Sequence, residues 1–243
     1  LPKLLRNTLL EEKITTQFLS KYADALMLDE RSNVFSTEAF QKGLFEVQDA
    51  DSQCVAPFTQ AESGMRVIDA CAGAGGKSLH LAAFMQNKGQ LIALDIHQYK
   101  LRELKRRAKR AGAHNIETRL IDSTKVIKKL HQTADRVLLD APCSGFGVLR
   151  RNPDAKWKLS QEFIERILKE QQQILTQYAH MVKPGGKLIY VTCSILPQEN
   201  EAQIAQFLQS EIGKAFSLEK EKHFWPSVHG FDGFYMARLQ RAV

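Results

Sequence analysis

The feature that most constrains the fold is a regular alternation, from about residue 64 onward, of short apolar runs with longer amphipathic stretches. Buried parallel strands have short, nearly continuous apolar sequences. The helices between them have apolar residues every three or four positions, which form one apolar face. The alternation therefore predicts an α/β fold built from βαβ units around a parallel sheet. A chain of 243 residues can bury the core of one such domain with a small appendage.

Six apolar segments fit strands of this sheet, and five amphipathic segments fit helices between them. The strands are predicted at residues 66–70, 90–95, 116–121, 135–141, 187–193 and 234–239. The helices are predicted at residues 77–86, 99–112, 124–130, 160–182 and 198–212. The Lys-Pro-Gly-Gly sequence at 183–186 is expected to form a turn that ends the fourth helix.

Residues 1–63 lack this alternation and are interpreted as a small N-terminal α+β accessory region. We expect a helix within residues 11–24 and short extended pieces at 25–28 and 44–47. Residues 64–243 then form the main domain, which is predicted to be a Rossmann-like, doubly wound sheet.

The composition of the chain indicates which binding partner and which cellular location to expect. The chain carries 34 Lys and Arg against 27 Asp and Glu, and the net charge of +7 favours a polyanionic partner. No apolar run reaches the roughly 18 residues of a membrane span, so we expect a cytoplasmic protein. We also expect a monomer. The chain starts without Met or a signal-peptide pattern, and we expect a fragment or processed form. Its four isolated cysteines indicate neither a metal site nor a disulfide framework.

A glycine-rich turn, Asp-Ala-Cys-Ala-Gly-Ala-Gly-Gly-Lys-Ser at 69–78, follows the first predicted strand and opens a helix. Doubly wound sheets present backbone N–H groups to a ligand at this point. A phosphate-binding P-loop is excluded because Cys71 stands where its first glycine is required. The dinucleotide pattern is excluded because Ser78 stands where its third glycine is required. S-adenosylmethionine, which has no pyrophosphate, fits better.

Acidic residues follow three successive strands. Asp95 ends the second strand and can accept from ribose hydroxyls, and Asp122 after the third can contact the adenine amine. Asp140 ends the fourth strand. One such acid is as readily a helix N-cap, but three of them with a glycine turn favour a cofactor site. The pattern predicts a class I S-adenosylmethionine-dependent methyltransferase.

Cys143 follows the fourth strand and Cys193 ends the fifth, and these strands are neighbours in a sheet of order 3-2-1-4-5. We expect both to converge with Asp140, although a single buried cysteine is more often a core residue. A thiolate that adds to C6 of a pyrimidine makes C5 nucleophilic, so the expected substrate is a cytosine or uracil, and either cysteine could attack. Asp140 can bind the N3/N4 edge of the base. Lys77 either orients this cluster or is an ordinary solvent-facing lysine.

Two basic segments are candidate RNA contacts. Residues 149–158 carry a mixture of cations and an aromatic ring that suits phosphates and a stacked base, namely Arg150, Arg151, Lys156, Trp157 and Lys158. The alternative is a capped loop with Trp157 in the core. The basic helix at 100–110 is equally an RNA track or a solvated face. Residues 230–234 either line the base pocket or form a hairpin.

Five motifs, at residues 44–53, 69–82, 139–157, 190–201 and 229–239, resemble the RNA cytosine-5 methyltransferases of the Sun or Fmu type, closest to the bacterial 16S ribosomal RNA branch. Pro-Cys-Ser-Gly with a downstream Thr-Cys-Ser is the specific combination. The resemblance implies that Cys193 attacks C6 and that Cys143 assists breakdown of the adduct. It also implies a methyl-donor site lined by Cys71, Ala72, Gly73, Ala74, Gly75, Gly76, Lys77, Asp95, Asp122 and Asp140.

The chain departs from this family in two respects. Many members have Ala-Pro-Gly where Gly73, Ala74 and Gly75 stand here, and the N-terminal RNA-binding domain of the bacterial branch is absent from the sequence. An rRNA methyltransferase is the leading hypothesis, with residues 1–63 contacting RNA. The alternatives are a tRNA methyltransferase, a non-catalytic RNA-binding or ribosome-assembly module, and, less well supported, a DNA cytosine methyltransferase.

Overall fold

The computed structural model describes residues 2–243, apart from the side chain of Lys158, and this range contains nine strands. They are β1 (Thr16–Phe18), β2 (Leu26–Leu28), β3 (Arg66–Asp69), β4 (Gln90–Asp95), β5 (Ile116–Leu120), β6 (Ala134–Asp140), β7 (Val182–Thr192), β8 (Phe216–Phe224) and β9 (Phe234–Arg241). The same range holds ten α-helices. They are α1 (Pro2–Glu11), α2 (Glu38–Gln41), α3 (Ala50–Gln53), α4 (Val55–Thr59), α5 (Gly76–Phe84), α6 (Gln98–Arg110), α7 (Thr124–Lys128), α8 (Gln161–Ala179), α9 (Glu201–Gln209) and α10 (Pro226–His229).

Seven strands form one sheet in the order β5-β4-β3-β6-β7-β9-β8. Strands β3 to β7 pair in parallel, and β9 runs antiparallel to both β7 and β8. The predicted Rossmann-like, mostly parallel sheet is confirmed, including the 3-2-1-4-5 order of its parallel strands. The carboxyl ends of β3, β4, β6 and β7 therefore lie along one edge, where ligands bind in such sheets.

The apolar runs form strands because both faces of the sheet are covered. In β4 the five residues from Leu91 to Asp95 are all buried, as expected for a parallel strand between two helical layers. The longest helix, α8, begins where the Ser160 hydroxyl accepts a hydrogen bond from the Phe163 N–H at 3.2 Å. Its buried residues recur at helical spacing, which directs one face onto the sheet.

Two expectations about the strands were incomplete or wrong. Strand β8 was missed because its sequence is strongly charged, which is typical of an edge strand. The Lys-Pro-Gly-Gly segment at 183–186 lies within β7 as a bulge, not in a separate turn. Its register with β6 passes from the pair Ala134–Val182 directly to the pair Arg136–Lys187.

The predicted helix within residues 11–24 is wrong. Helix α1 ends at Glu11, and Lys13 takes a left-handed backbone conformation with φ of 63°. The Ile14 N–H donates to the Leu9 carbonyl at 2.8 Å, which closes the helix end, and β1 then pairs with β2. The expected extended piece at 25–28 is confirmed by β2, whereas residues 44–47 belong to no strand in the described part of the chain.

Residues 55–61 pack with the main sheet. Val55, Ala56 and Phe58 share a hydrophobic cluster with Ile189 and Val191 of β7. The predicted domain boundary at residue 63 stays a prediction. Among residues 2–243, no helix is both long and apolar enough to cross a membrane.

We expect Phe58→Ala to lower the free energy of unfolding by about 3–5 kcal/mol, because it opens a cavity in the cluster that holds the sheet. Urea unfolding followed by circular dichroism measures this change. Phe35→Ala is the matched control, since Phe35 is 55% exposed and Phe58 only 8%. A Phe58→Ala curve in which the sheet unfolds at its original midpoint, after a separate first transition, would show that residues 55–61 fold apart from the sheet.

Candidate active site

The glycine turn connects β3 to α5 and lies beside α6. Gly75 has φ of 90°, and a Cβ at this position would lie 2.5 Å from Leu104 Cγ, so only glycine fits. The Gly73 N–H donates to Asp95 Oδ2 at 2.9 Å, which ties the turn to the end of β4. The turn is thus held close to the sheet edge, as the sequence predicted.

The end of β3 and the start of α5 together offer polar groups to a ligand. No side chain there caps α5. Asp69 accepts from the Ser78 hydroxyl at 2.7 Å through Oδ2, whereas its Oδ1 is buried without a hydrogen-bond partner within residues 2–243. Burial raises the pKa of Asp69 to about 7. Free N–H groups at a helix start suit an anionic ligand group, such as the carboxylate of an amino acid.

Asp95 and Asp122 lie at the same edge. Asp95 is buried and accepts from the backbone N–H groups of Gly73 and His97 through separate oxygens, at 2.9 and 2.7 Å. Asp122 is exposed and follows Ile121, whose N–H donates to the Asp95 carbonyl at 3.0 Å. The Asp95 carboxylate therefore contacts the glycine turn, and Asp122 follows the residue whose backbone bonds to Asp95.

A salt-bridged arginine that was not predicted from the sequence supports this turn. Arg107 in α6 donates to the Ala74 carbonyl at 2.8 Å and to Glu46 at 3.0 Å. Arg110 also pairs with Glu46. One side of the basic helix thus faces the turn. This role differs from both predicted alternatives for the helix, a solvated face and an RNA track. Helical spacing could have suggested a shared face, but Glu46 lies 61 residues from Arg107.

Lys77 forms an ion pair with Asp140, with Nζ 2.6 Å from Oδ2. The lysine side chain is only 14% exposed, so the solvent-facing alternative is wrong. Burial alone would lower the pKa of Lys77, but Asp140 outweighs it and the pKa is raised, which keeps the ammonium charged. A fixed cation therefore lies at the carboxyl end of β6.

The two cysteines lie in contact, although they are 50 residues apart. Cys143 Sγ and Cys193 Sγ are 3.2 Å apart, as the predicted convergence requires. The hydrogen bond from Cys143 lowers the pKa of Cys193, even though burial and Asp140 act in the opposite direction. The same bond raises the pKa of Cys143 well above its ordinary value. The directions of the two pKa shifts favour Cys193 as the thiolate of the pair.

The residues predicted to contact RNA divide into two groups. Arg150 and Lys156 are exposed, and Trp157 is 79% exposed with Lys156 Nζ 4.7 Å from its ring centroid, so the core alternative for Trp157 is wrong. Arg151 instead pairs with Asp232, a fully buried carboxylate that the sequence analysis did not single out. The side chain of Lys158 lies outside the described part of the chain.

The loop at 230–234 lies against both cysteine-bearing segments. The Gly147 N–H donates to the Cys193 carbonyl at 2.9 Å, and the Gly233 N–H donates to the Gly147 carbonyl at 2.8 Å. A Cβ on Gly147 would lie 2.0 Å from the Gly233 oxygen, which explains the glycine. The loop therefore borders the site and also leads into β9. Among the residues described, no group of three His, Cys, Asp or Glu could hold a metal ion.

Comparison with known proteins decides the family. The family model described as 16S rRNA methyltransferase RsmB/F matches residues 58–240. The chain belongs to this RsmB/F family. It is 36% identical over 227 residues to the probable ribosomal RNA small subunit methyltransferase B of Bacillus subtilis, which covers 87% of this chain and 51% of that protein. The chain thus spans about half the length of this curated relative.

Solved structures resemble the RsmB/F chain along most of its length. The crystal structure of PH0851 is 31% identical, has a TM-score of 0.92 and covers 98% of this chain and 56% of its own. NSun6 from Pyrococcus horikoshii, solved with SFG, is 27% identical with a TM-score of 0.80, and the match covers 90% of this chain and 60% of that one. These likenesses agree with the resemblance drawn from the sequence motifs.

Replacing Cys143 by Ala is expected to raise the pKa of Cys193, because the variant lacks the thiol that stabilises the Cys193 thiolate. Iodoacetamide alkylation across a pH series, with each cysteine followed by peptide mass spectrometry, measures this pKa. The Cys193 profile should move to higher pH, so at about pH 8, below the usual thiol pKa, Cys193 reacts more slowly.

Cys54→Ala is the control for that measurement. Cys54 is also a half-buried thiol, but its charged neighbours are Lys222, Asp51 and Asp49. The control should leave the Cys193 profile in place. If the Cys143→Ala profile matched the control, the sulfur–sulfur hydrogen bond would not set the reactivity of Cys193.

Proposed function

We propose that this chain methylates C5 of a cytosine in ribosomal RNA, with S-adenosylmethionine as methyl donor and Cys193 as covalent nucleophile. The observation that carries the proposal is the pair of sulfurs 3.2 Å apart, within the field of the Lys77–Asp140 ion pair. The name of the Bacillus subtilis relative supports ribosomal RNA over tRNA. The intact sulfur pair and ion pair argue against a non-catalytic module.

The glycine turn and its neighbours fit S-adenosylmethionine. The uncapped start of α5 suits the amino-acid carboxylate, Asp95 suits the ribose hydroxyls and Asp122 suits the adenine amine. NSun6, a structural relative, was solved with SFG, an analogue of this donor. When bound, S-adenosylmethionine supplies an electrophilic methyl group to the site.

Cys193 supplies the electron pair that forms a bond to C6 of the cytosine, and C5 thereby becomes nucleophilic. The Asp140 carboxylate accepts a hydrogen bond from the N4 amine of the cytosine, and its partner Lys77 supplies the positive charge that stabilises the negative charge moving onto the ring. After methylation a base removes the C5 proton. The electrons of the C5–H bond re-form the C5–C6 double bond as the C6–S bond breaks. We assign Cys143 to assist this elimination.

The RNA must bring an unpaired or flipped base to the sulfur, at a cost of a few kcal/mol. Arg150 and Lys156 are placed to contact phosphates, and the exposed Trp157 ring offers a stacking surface. The proposal includes an RNA-binding role for residues 1–63. Arg151 is assigned to hold the 230–234 loop through Asp232 as well as to lie at the RNA face. A monomer and a cytoplasmic location stay predictions.

Cys193→Ala should abolish methyl transfer while leaving binding of the methyl donor intact. Cys143→Ala should instead accumulate a covalent protein–RNA adduct, because addition by Cys193 is slowed but still proceeds, whereas elimination fails. Labelled methyl donor with 16S rRNA from a strain lacking the activity measures transfer, and a denaturing gel detects the adduct. Full turnover by Cys193→Ala would show that another residue is the nucleophile. Methyl incorporation at an atom other than cytosine C5 would refute the assigned reaction.

Asp95→Asn should weaken binding of S-adenosylmethionine by about 1.5–3 kcal/mol, since a hydrogen bond to a charged group is lost and the turn loses one acceptor. Isothermal titration calorimetry measures the dissociation constant. Glu211→Gln removes the same charge from an exposed side chain and should bind normally. If the two variants bound S-adenosylmethionine equally well, Asp95 would not be the residue that binds the ribose.

A further inference from the structure

Glu199 is a fully buried carboxylate that contacts both cysteine-bearing segments. Its Oε1 accepts from the Ser144 backbone N–H at 2.7 Å, and its Oε2 accepts from the hydroxyls of Ser144 and Ser194. Ser144 directly follows Cys143, and Ser194 directly follows Cys193. One carboxylate thus connects the residues next to the two sulfurs.

Further hydrogen bonds fix the position of Glu199. Gln171 in α8 donates to Glu199 Oε1 at 3.0 Å and to the Pro142 carbonyl at 2.9 Å. The Tyr190 hydroxyl donates to the Glu199 carbonyl at 2.8 Å. A buried carboxylate with several donors has a single well-defined geometry, because losing any one partner leaves a buried polar group unpaired.

The sheet alone does not determine the distance between the sulfurs. The last paired residues of β6 and β7 are Asp140 and Val191, and both cysteines lie beyond that pair. A catalytic pair must be held to within about 0.5 Å, and a misplacement of about 1 Å can cost a hundredfold in rate. The distance between the sulfurs must therefore be fixed by contacts that join the two segments beyond the ends of the strands.

We propose that Glu199 is a positioning residue that, through Ser144 and Ser194, holds Cys143 and Cys193 at hydrogen-bonding distance. This explains why a serine follows each cysteine. Glu199 does not touch the substrate and acts only through the two cysteines. The catalytic consequence rests on the proposed function, whereas the positioning of the sulfurs does not.

Ser144→Ala, Ser194→Ala and the double variant test the link with no change of charge. Each is expected to raise the pKa of Cys193, because the Cys143 thiol moves away from it. The double variant should raise the pKa no further than the larger single effect, since both hydroxyls belong to one link. Ser210→Ala, which removes the hydroxyl that donates to the Phe207 carbonyl after α9, is the control and should change nothing.

The pH profile of Cys193 alkylation, recorded without RNA or methyl donor, is the readout. The groups that act on Cys193 are Cys143 and Lys77, which lower its pKa, and Asp140 and Glu199, which raise it, with Arg151 also facing it. Glu199→Gln therefore separates two roles. If Glu199 were only a nearby charge, its neutralisation would lower the pKa of Cys193, whereas loss of the link raises it.

In turnover, the serine variants should lower kcat by about ten- to a hundredfold with little change in KM for RNA. Thermal melting checks that each variant is folded. Folded serine variants with an unchanged Cys193 profile would overturn the proposal, and a shifted profile with unchanged kcat would overturn its catalytic part. Failure of the proposed function appears separately, as turnover by Cys193→Ala.

Discussion

The parallel pairing of β6 with β7 is the interaction on which the rest of the site depends. Its final pair, Asp140 with Val191, sets the point from which two connections leave the sheet in the same direction. Cys143 lies three residues beyond one member and Cys193 two residues beyond the other. Because parallel strands end at the same edge, residues 50 apart in sequence meet without any local pattern between them.

The balance of charges at this edge decides which sulfur ionises. Burial, Asp140 and Glu199 all disfavour a thiolate at Cys193. The hydrogen bond between the two cysteines and the positive charge of Lys77 together outweigh these effects, so the pKa of Cys193 is lowered. In the proposed reaction the activating group is therefore a second thiol, where many cysteine enzymes use a histidine or a helix start. A thiol can donate to the thiolate without carrying a charge of its own, so the lysine stays available to Asp140.

Much of the fold was predictable because its signals are local. The apolar runs, the glycine turn and the acids after each strand report their positions directly, and the doubly wound pattern supplies the strand order. Side-chain partners outside the sheet were not predictable. Glu199 lies 55 residues from Ser144 and Asp232 lies 81 residues from Arg151, and no periodicity relates them. The choice of Cys193 over Cys143 likewise needed the family resemblance, because spacing treats the two alike.

The connection from β6 to α8 links the sulfur pair to the exposed segment that is proposed to contact RNA. It carries Cys143, then Gly147, whose backbone is packed without room for a Cβ against Gly233, and then the exposed Trp157. The part near the sulfur is therefore rigid, and the exposed part lies only ten residues beyond Gly147. Since the sulfurs are already in contact in the protein alone, the ordering cost of the proposed reaction falls mainly on the RNA base that must leave its stack. Under the proposed function, target choice then depends on which cytosines are least expensive to unstack near a contacted phosphate.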